Sequence, residues 1–189
     1  MVCVKLNKLS IFACAMILLF LTLGVSGQII PSVLEDPNAA SEGRWKSLGL
    51  FCLFVILHEG LHAAAAWHWG KVPLQAIHVG FKWQWLIPYC HCKVPLKMNV
   101  YRRVLILPFL ITVPIAALIL WLSPSFWMLA LFGLMVSACA ADLMMFFKLR
   151  SFEDNLWVQD HPFEPACNIF LEQTNGVITD KSNVEGKKL

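Results

Sequence analysis

Residues 47–69 read SLGLFCLFVILHEGLHAAAAWHW. The run is apolar over about the ~20 residues that a helix needs to cross hydrocarbon. Inside it stand His58, Glu59 and His62. An ionisable side chain at that depth costs on the order of 3 kcal/mol. Three of them within one turn need compensation, and a bound cation provides it. On a helix, residues four apart share a face, so the imidazoles of His58 and His62 can ligate one zinc ion. The intervening Glu59 can then act as general base toward a water that the metal activates. Six histidines and seven glutamates in 189 residues would produce this pattern by chance about 0.007 times per chain, treating positions as independent. The bland alternative is a histidine–glutamate cluster that bonds to neighbouring helices.

The rest of the chain is built for lipid. Hydrophobic residues make up 58% and charged residues 14% of the chain, and the mean hydropathy is +0.65. A soluble domain of this length would have too little polar side chain to cover its surface. Three more apolar stretches are read, at about Leu9–Ile30, Val104–Leu122 and Phe126–Phe147. The expectation is therefore an all-α integral membrane protein of about four transmembrane helices. The first stretch reads as a retained helix, with a cleaved signal peptide ending near Val25-Ser26-Gly27 as the alternative. The organisation is read as residues 1–30, first helix or signal anchor; 31–46, outer linker; 47–150, membrane core; and 151–189, a cytoplasmic tail, partly disordered.

Lys5, Lys8, Lys71, Lys82, Lys93, Lys97, Arg102, Arg103, Lys148 and Arg150 fall on one side of these spans, and only Arg44 and Lys46 on the other. The positive-inside rule puts both termini and the long middle connection in the cytoplasm. Trp45, Trp121 and Trp127 mark the outer boundary, and Trp67 and Trp69 the inner one. In the middle connection Ile77, Val79, Phe81, Trp83 and Trp85 alternate with polar residues or glycine, a period of two that signals a strand. Pro88 breaks the run, and residues 89–94 could return as a second strand. The expected result is a small interfacial β-hairpin on the cytoplasmic side. A loop anchored by Trp83 and Trp85 is the alternative.

Zinc needs a third protein ligand. Asp142 is the one acidic residue between Glu59 and Glu153. It lies at about the depth of His62 if both helices run from outside to inside. Small residues, Ala63–Ala66 and Ser137–Ala141, let the helices approach. Asp142 is therefore the candidate third ligand, with a structural hydrogen-bonding role as its alternative. His68 has the spacing of a longer zinc motif, but Ala65 replaces that motif's glycine and four alanines should carry the helix straight on. Cys90-His91-Cys92 could bind a soft metal, but its cysteine spacing is too close for an ordinary zinc site. The seven cysteines include no C-x-x-C pair. His78 and His91 read as interfacial or loop residues, and Asp160-His161-Pro162 as a turn. A formal net charge of +3 with no basic tract gives no reason to expect a nucleic-acid partner.

His58-Glu59-Gly60-Leu61-His62, Pro95-Leu96, Leu107-Pro108-Phe109, Ala141-Asp142 and Val158-Gln159-Asp160-His161-Pro162 together resemble a family of bacterial membrane proteins. It is a zincin-peptidase family of the domain-of-unknown-function type, with a layout akin to that of site-2 proteases. The likeness spans roughly Ser47 to Cys167. It implies a zinc-dependent metallopeptidase of the bacterial cytoplasmic membrane, acting on a membrane protein or peptide in or beside the lipid bilayer. It implies His58, His62 and Asp142 as zinc ligands and Glu59 as the catalytic base. Site-2 proteases often carry Asp-Gly, where Leu143 follows Asp142 here. Two readings of another class stand beside it: a metal-binding or transporter-like protein without catalysis, and an inactive scaffold.

Overall fold

The computed structural model describes residues 1–29, 39–82, 87–161 and 166–170. The helix carrying the histidines, α2, runs Ala39–Gly70. At 1.5 Å per residue its 32 residues span about 48 Å, well beyond a ~30 Å hydrocarbon layer. It therefore begins earlier than the expected Ser47 and takes in residues 39–46 of the linker. Leu53 and Ile56 on its outer face are 60% and 70% exposed, as side chains meeting lipid would be. The helix ends at Gly70, where an added Cβ would stand 2.5 Å from Leu96 Cδ2. Lys71 then takes a left-handed conformation (φ 54), and the Val72 N–H returns to the Ala66 carbonyl at 3.3 Å.

α1 (Lys8–Ile29) starts where Asn7 Oδ1 accepts the Leu9 N–H at 3.0 Å, an N-cap contact. α3 covers Met98–Leu122, more than a turn earlier than the expected Val104. The fourth apolar stretch divides into α4 (Phe126–Ala138) and α5 (Ala140–Leu149). Ser125 Oγ caps α4 by accepting the Met128 N–H. At the α4 end, Ser137 Oγ donates back to the Gly133 carbonyl at 2.6 Å, a bond that bends helices, and Cys139 sits at the joint. Arg102 of α3 caps α5 from outside, donating from Nη2 to the Leu149 carbonyl at 2.8 Å and also to the Phe152 carbonyl. Among the described residues three stretches, Gly43–Gly70, Met98–Leu122 and Phe126–Leu149, are long and apolar enough to cross a membrane. Within α1 the apolar stretch among the fully described residues is Lys8–Thr22, so the fourth of the expected crossings stays an expectation.

The chain is mostly helical but not all-α. A four-stranded antiparallel sheet joins β1 (Val2–Lys5), β6 (Ala166–Phe170), β5 (Trp157–Asp160) and β4 (Leu96–Lys97), in that spatial order. Val158, Cys167 and Ile169 are completely buried and share a cluster with Met98, Met145 and Leu149 of the helices. Burial of this apolar face drives the sheet onto one end of the bundle, where α2 stops, α3 starts and α5 stops. Part of the expected tail, residues 157–160 and 166–170, is thus packed structure. The expected disordered stretch falls on residues 171–189, which lie outside the described residues. The same holds for Pro31–Asn38, Pro162, and Trp83 and Trp85.

The expected hairpin is present as β2 (Ile77–Lys82) paired antiparallel with β3 (Ile87–Cys92). Pro88 does not break it: it stands opposite Phe81 within β3. A proline is tolerated where its missing N–H would point away from the partner strand. The Cys92 N–H, four residues on, indeed leaves the hairpin for the Asp160 carboxylate, and the Cys90 N–H lies near that of Glu59.

Candidate metal centre

His58 and His62 project from the same face of α2, one turn apart, with ring centroids 4.9 Å from each other. Asp142 comes from the first turn of α5, just past the joint at Cys139. Its Oδ2 lies 3.0 Å from His58 Nε2 and 3.3 Å from His62 Nε2, and the two Nε2 atoms are 3.3 Å apart. Four-coordinate zinc with bonds of ~2.0–2.1 Å holds its ligand atoms about 3.3 Å from one another. The three donors fit that spacing without rearrangement. Among the described residues this is the one group of three histidine, cysteine or carboxylate donors gathered closely enough for an ion. The side chains are 14%, 12% and 21% exposed, so the triad is shielded but not sealed.

The far nitrogens of both imidazoles are also engaged. His62 Nδ1 lies 2.9 Å from the Val104 carbonyl oxygen of α3, and His58 Nδ1 lies 3.9 Å from Cys139 Sγ. Such outer partners orient a ligating histidine and keep the other nitrogen's lone pair toward the metal. Ala65 and Ala66 are buried in the same cluster as Val104 and Leu105, and their small size brings α2 close enough to α3 for the His62 contact.

Glu59 faces the hairpin, with the Cys90 N–H near its carboxylate. The next outward N–H of β3, that of Cys92, donates to Asp160 Oδ2 at 3.2 Å. Asp160 Oδ1 accepts the Tyr101 hydroxyl at 2.5 Å, and His91 Nδ1 lies 3.9 Å from Oδ2. Asp160 therefore ties the hairpin edge beside Glu59 to both α3 and β5. Burial raises its pKa, with the bonds from Tyr101 and Cys92 working against that rise.

Asp160 is the end of strand β5 rather than a turn residue, and its anchoring role was missed. Tyr101 was also passed over, and Cys139 was read only as a small residue of an apolar run. His68 is exposed between Trp67 and Trp69, away from the triad, as a straight continuation through the alanines requires. Among the described residues Cys90 and Cys92 belong to no donor cluster: burial pushes the Cys90 thiol up to about 12, and Cys92 Sγ donates to the Val94 carbonyl at 3.4 Å.

No curated protein and no solved structure matches the chain significantly. A family model does: the one described as "Putative zincin peptidase" matches residues 51–157, which include both histidines, Glu59, Asp142 and the hairpin. With more than half of its length matched, the chain belongs to that zincin peptidase family.

Proposed function

We propose that the chain is a zinc-dependent peptidase embedded in a membrane, hydrolysing peptide bonds of substrates in or beside the bilayer. The observation that carries this reading is the near-equilateral set of two imidazole nitrogens and one carboxylate oxygen, 3.0–3.3 Å apart. His58, His62 and Asp142 would hold the ion and leave one position for water or substrate. Zinc bound there supplies Lewis-acid polarisation of the scissile carbonyl and lowers the pKa of water to near 7.

Glu59 takes the proton of the attacking water and returns it to the leaving amine. Glu59 lies between the triad and the hairpin, with the Cys90 N–H near its carboxylate. The Val104 carbonyl and Cys139 thiol hold the histidine rings. A substrate strand added at the edge of β3 that faces Glu59 would have to displace the bond at Cys92, whereas β2 has no strand on its outer side among the described residues.

The distribution of basic residues supports placing the sheet-bearing end in the cytoplasm of a bacterial cell, with both termini on that side. Residues 2–5 and 166–170 pair with one another at that end.

Glu59→Gln keeps the shape of the side chain. The purified variant should retain about one zinc per chain. Its turnover should fall by about 10²–10⁴-fold, the usual contribution of a general base. Comparing membrane proteomes of cells carrying wild type or Glu59→Gln reads that loss as accumulated uncleaved protein. Equal processing by the two forms, both loaded with zinc, would instead indicate a metal protein without peptidase chemistry.

A further inference from the structure

A proline inside a helix costs about 3 kcal/mol, because it removes one hydrogen bond and crowds the carbonyl four residues back. α3 contains two, Pro108 and Pro114. Pro108 is fully buried. The helical acceptor that its missing N–H would have served is the carbonyl of Val104. That oxygen is the one 2.9 Å from His62 Nδ1. A carbonyl only accepts, so Nδ1 carries a proton there, and Nε2 is the nitrogen that faces Asp142 and His58.

We infer that Pro108 is a positioning residue of the metal centre: by withholding a helical N–H it reserves the Val104 carbonyl for His62, fixing the ring's orientation and tautomer. The inference rests on His62 being a zinc ligand. The proline ring also pushes the Val104 carbonyl off the helix axis, which turns its lone pairs toward α2. Pro114 performs the same subtraction on the Leu110 carbonyl, but Leu110 is 57% exposed on the outer face and serves no ligand. Two prolines of equal cost to the helix thus differ in what the freed oxygen does.

The test is zinc affinity of the full chain in detergent, by chelator competition, for wild type, Pro108→Ala and Pro114→Ala. Restoring the N–H at 108 gives the Val104 oxygen a competing donor. Pro108→Ala should weaken zinc binding about 10–100-fold, as loss of an outer-shell partner usually does, and Pro114→Ala should leave it within about threefold. Wild-type affinity in Pro108→Ala, or equal losses in both variants, overturns the inference. Should Pro108→Ala fail to fold, ¹⁵N NMR of histidine-labelled wild type decides: a protonated Nδ1 on His62 is expected with and without zinc. An unprotonated Nδ1 overturns the role of Pro108 alone. A wild-type protein that takes up no zinc, yet keeps Nδ1 protonated, overturns the zinc reading instead.

Discussion

Replacing Asp142 by asparagine removes one negative charge from the triad while keeping the side chain's shape. In the structure Oδ2 touches both Nε2 atoms, at 3.0 and 3.3 Å, so an ion bridging the three would sit at ordinary zinc–oxygen distance from the carboxylate. A charge of +2 facing −1 at ~2.1 Å is worth about 4 kcal/mol even with the full screening of bulk water. The side chain is only 21% exposed, so screening is weaker and this figure is a floor. At 1.36 kcal/mol per tenfold, zinc affinity should fall by roughly a thousandfold or more. Competition against a chelator of known affinity on purified wild type and Asp142→Asn measures the loss. Thermal melts of the metal-free proteins show whether the variant is folded. A folded Asp142→Asn that binds zinc within tenfold of wild type would remove Asp142 from the ligand set.

Two further outcomes follow from groups around the site. Burial raises the pKa of Asp160 above its ordinary 3.8, so the folded state holds its proton to higher pH than the unfolded chain does. The stability of wild type relative to Asp160→Asn should therefore fall as pH rises through the interval above 3.8; a difference that grows with pH would contradict this. Arg102 donates to the terminal carbonyls of α5 and pairs with Asp154, so Arg102→Met should cost about 2 kcal/mol in a denaturant or thermal melt. A cost below 0.5 kcal/mol would mean that water satisfies those carbonyls equally well.

What could be read from the sequence was what depends on neighbours in the chain. The His58–His62 pair is a local helical relation, and the alternation from Ile77 onward is a local strand relation; both elements exist. Asp142 could be found because it is the lone acidic residue in a long apolar stretch, where a carboxylate demands a partner. The four-stranded sheet could not be found the same way. β1 pairs with β6 across almost the whole chain, and β4 is two residues long, so neither has a period to read. The joint at Cys139 was hidden because it interrupts a continuous apolar run with no proline or glycine beside it; the local feature there is the Ser137 side-chain bond to the helix backbone. Asp160 looked like a turn beside Pro162, and only tertiary packing shows its carboxylate holding Cys92 and Tyr101.

The central claim is that one zinc ion is held by two imidazoles and a carboxylate contributed by α2 and α5. X-ray absorption at the zinc edge of the purified wild-type protein tests it directly. The account expects about one zinc per chain with nitrogen and oxygen neighbours at ~2.0–2.1 Å, including two imidazoles and no sulfur. Sulfur neighbours at ~2.3 Å, pointing to cysteine ligation, or a protein that takes up no zinc, would contradict it.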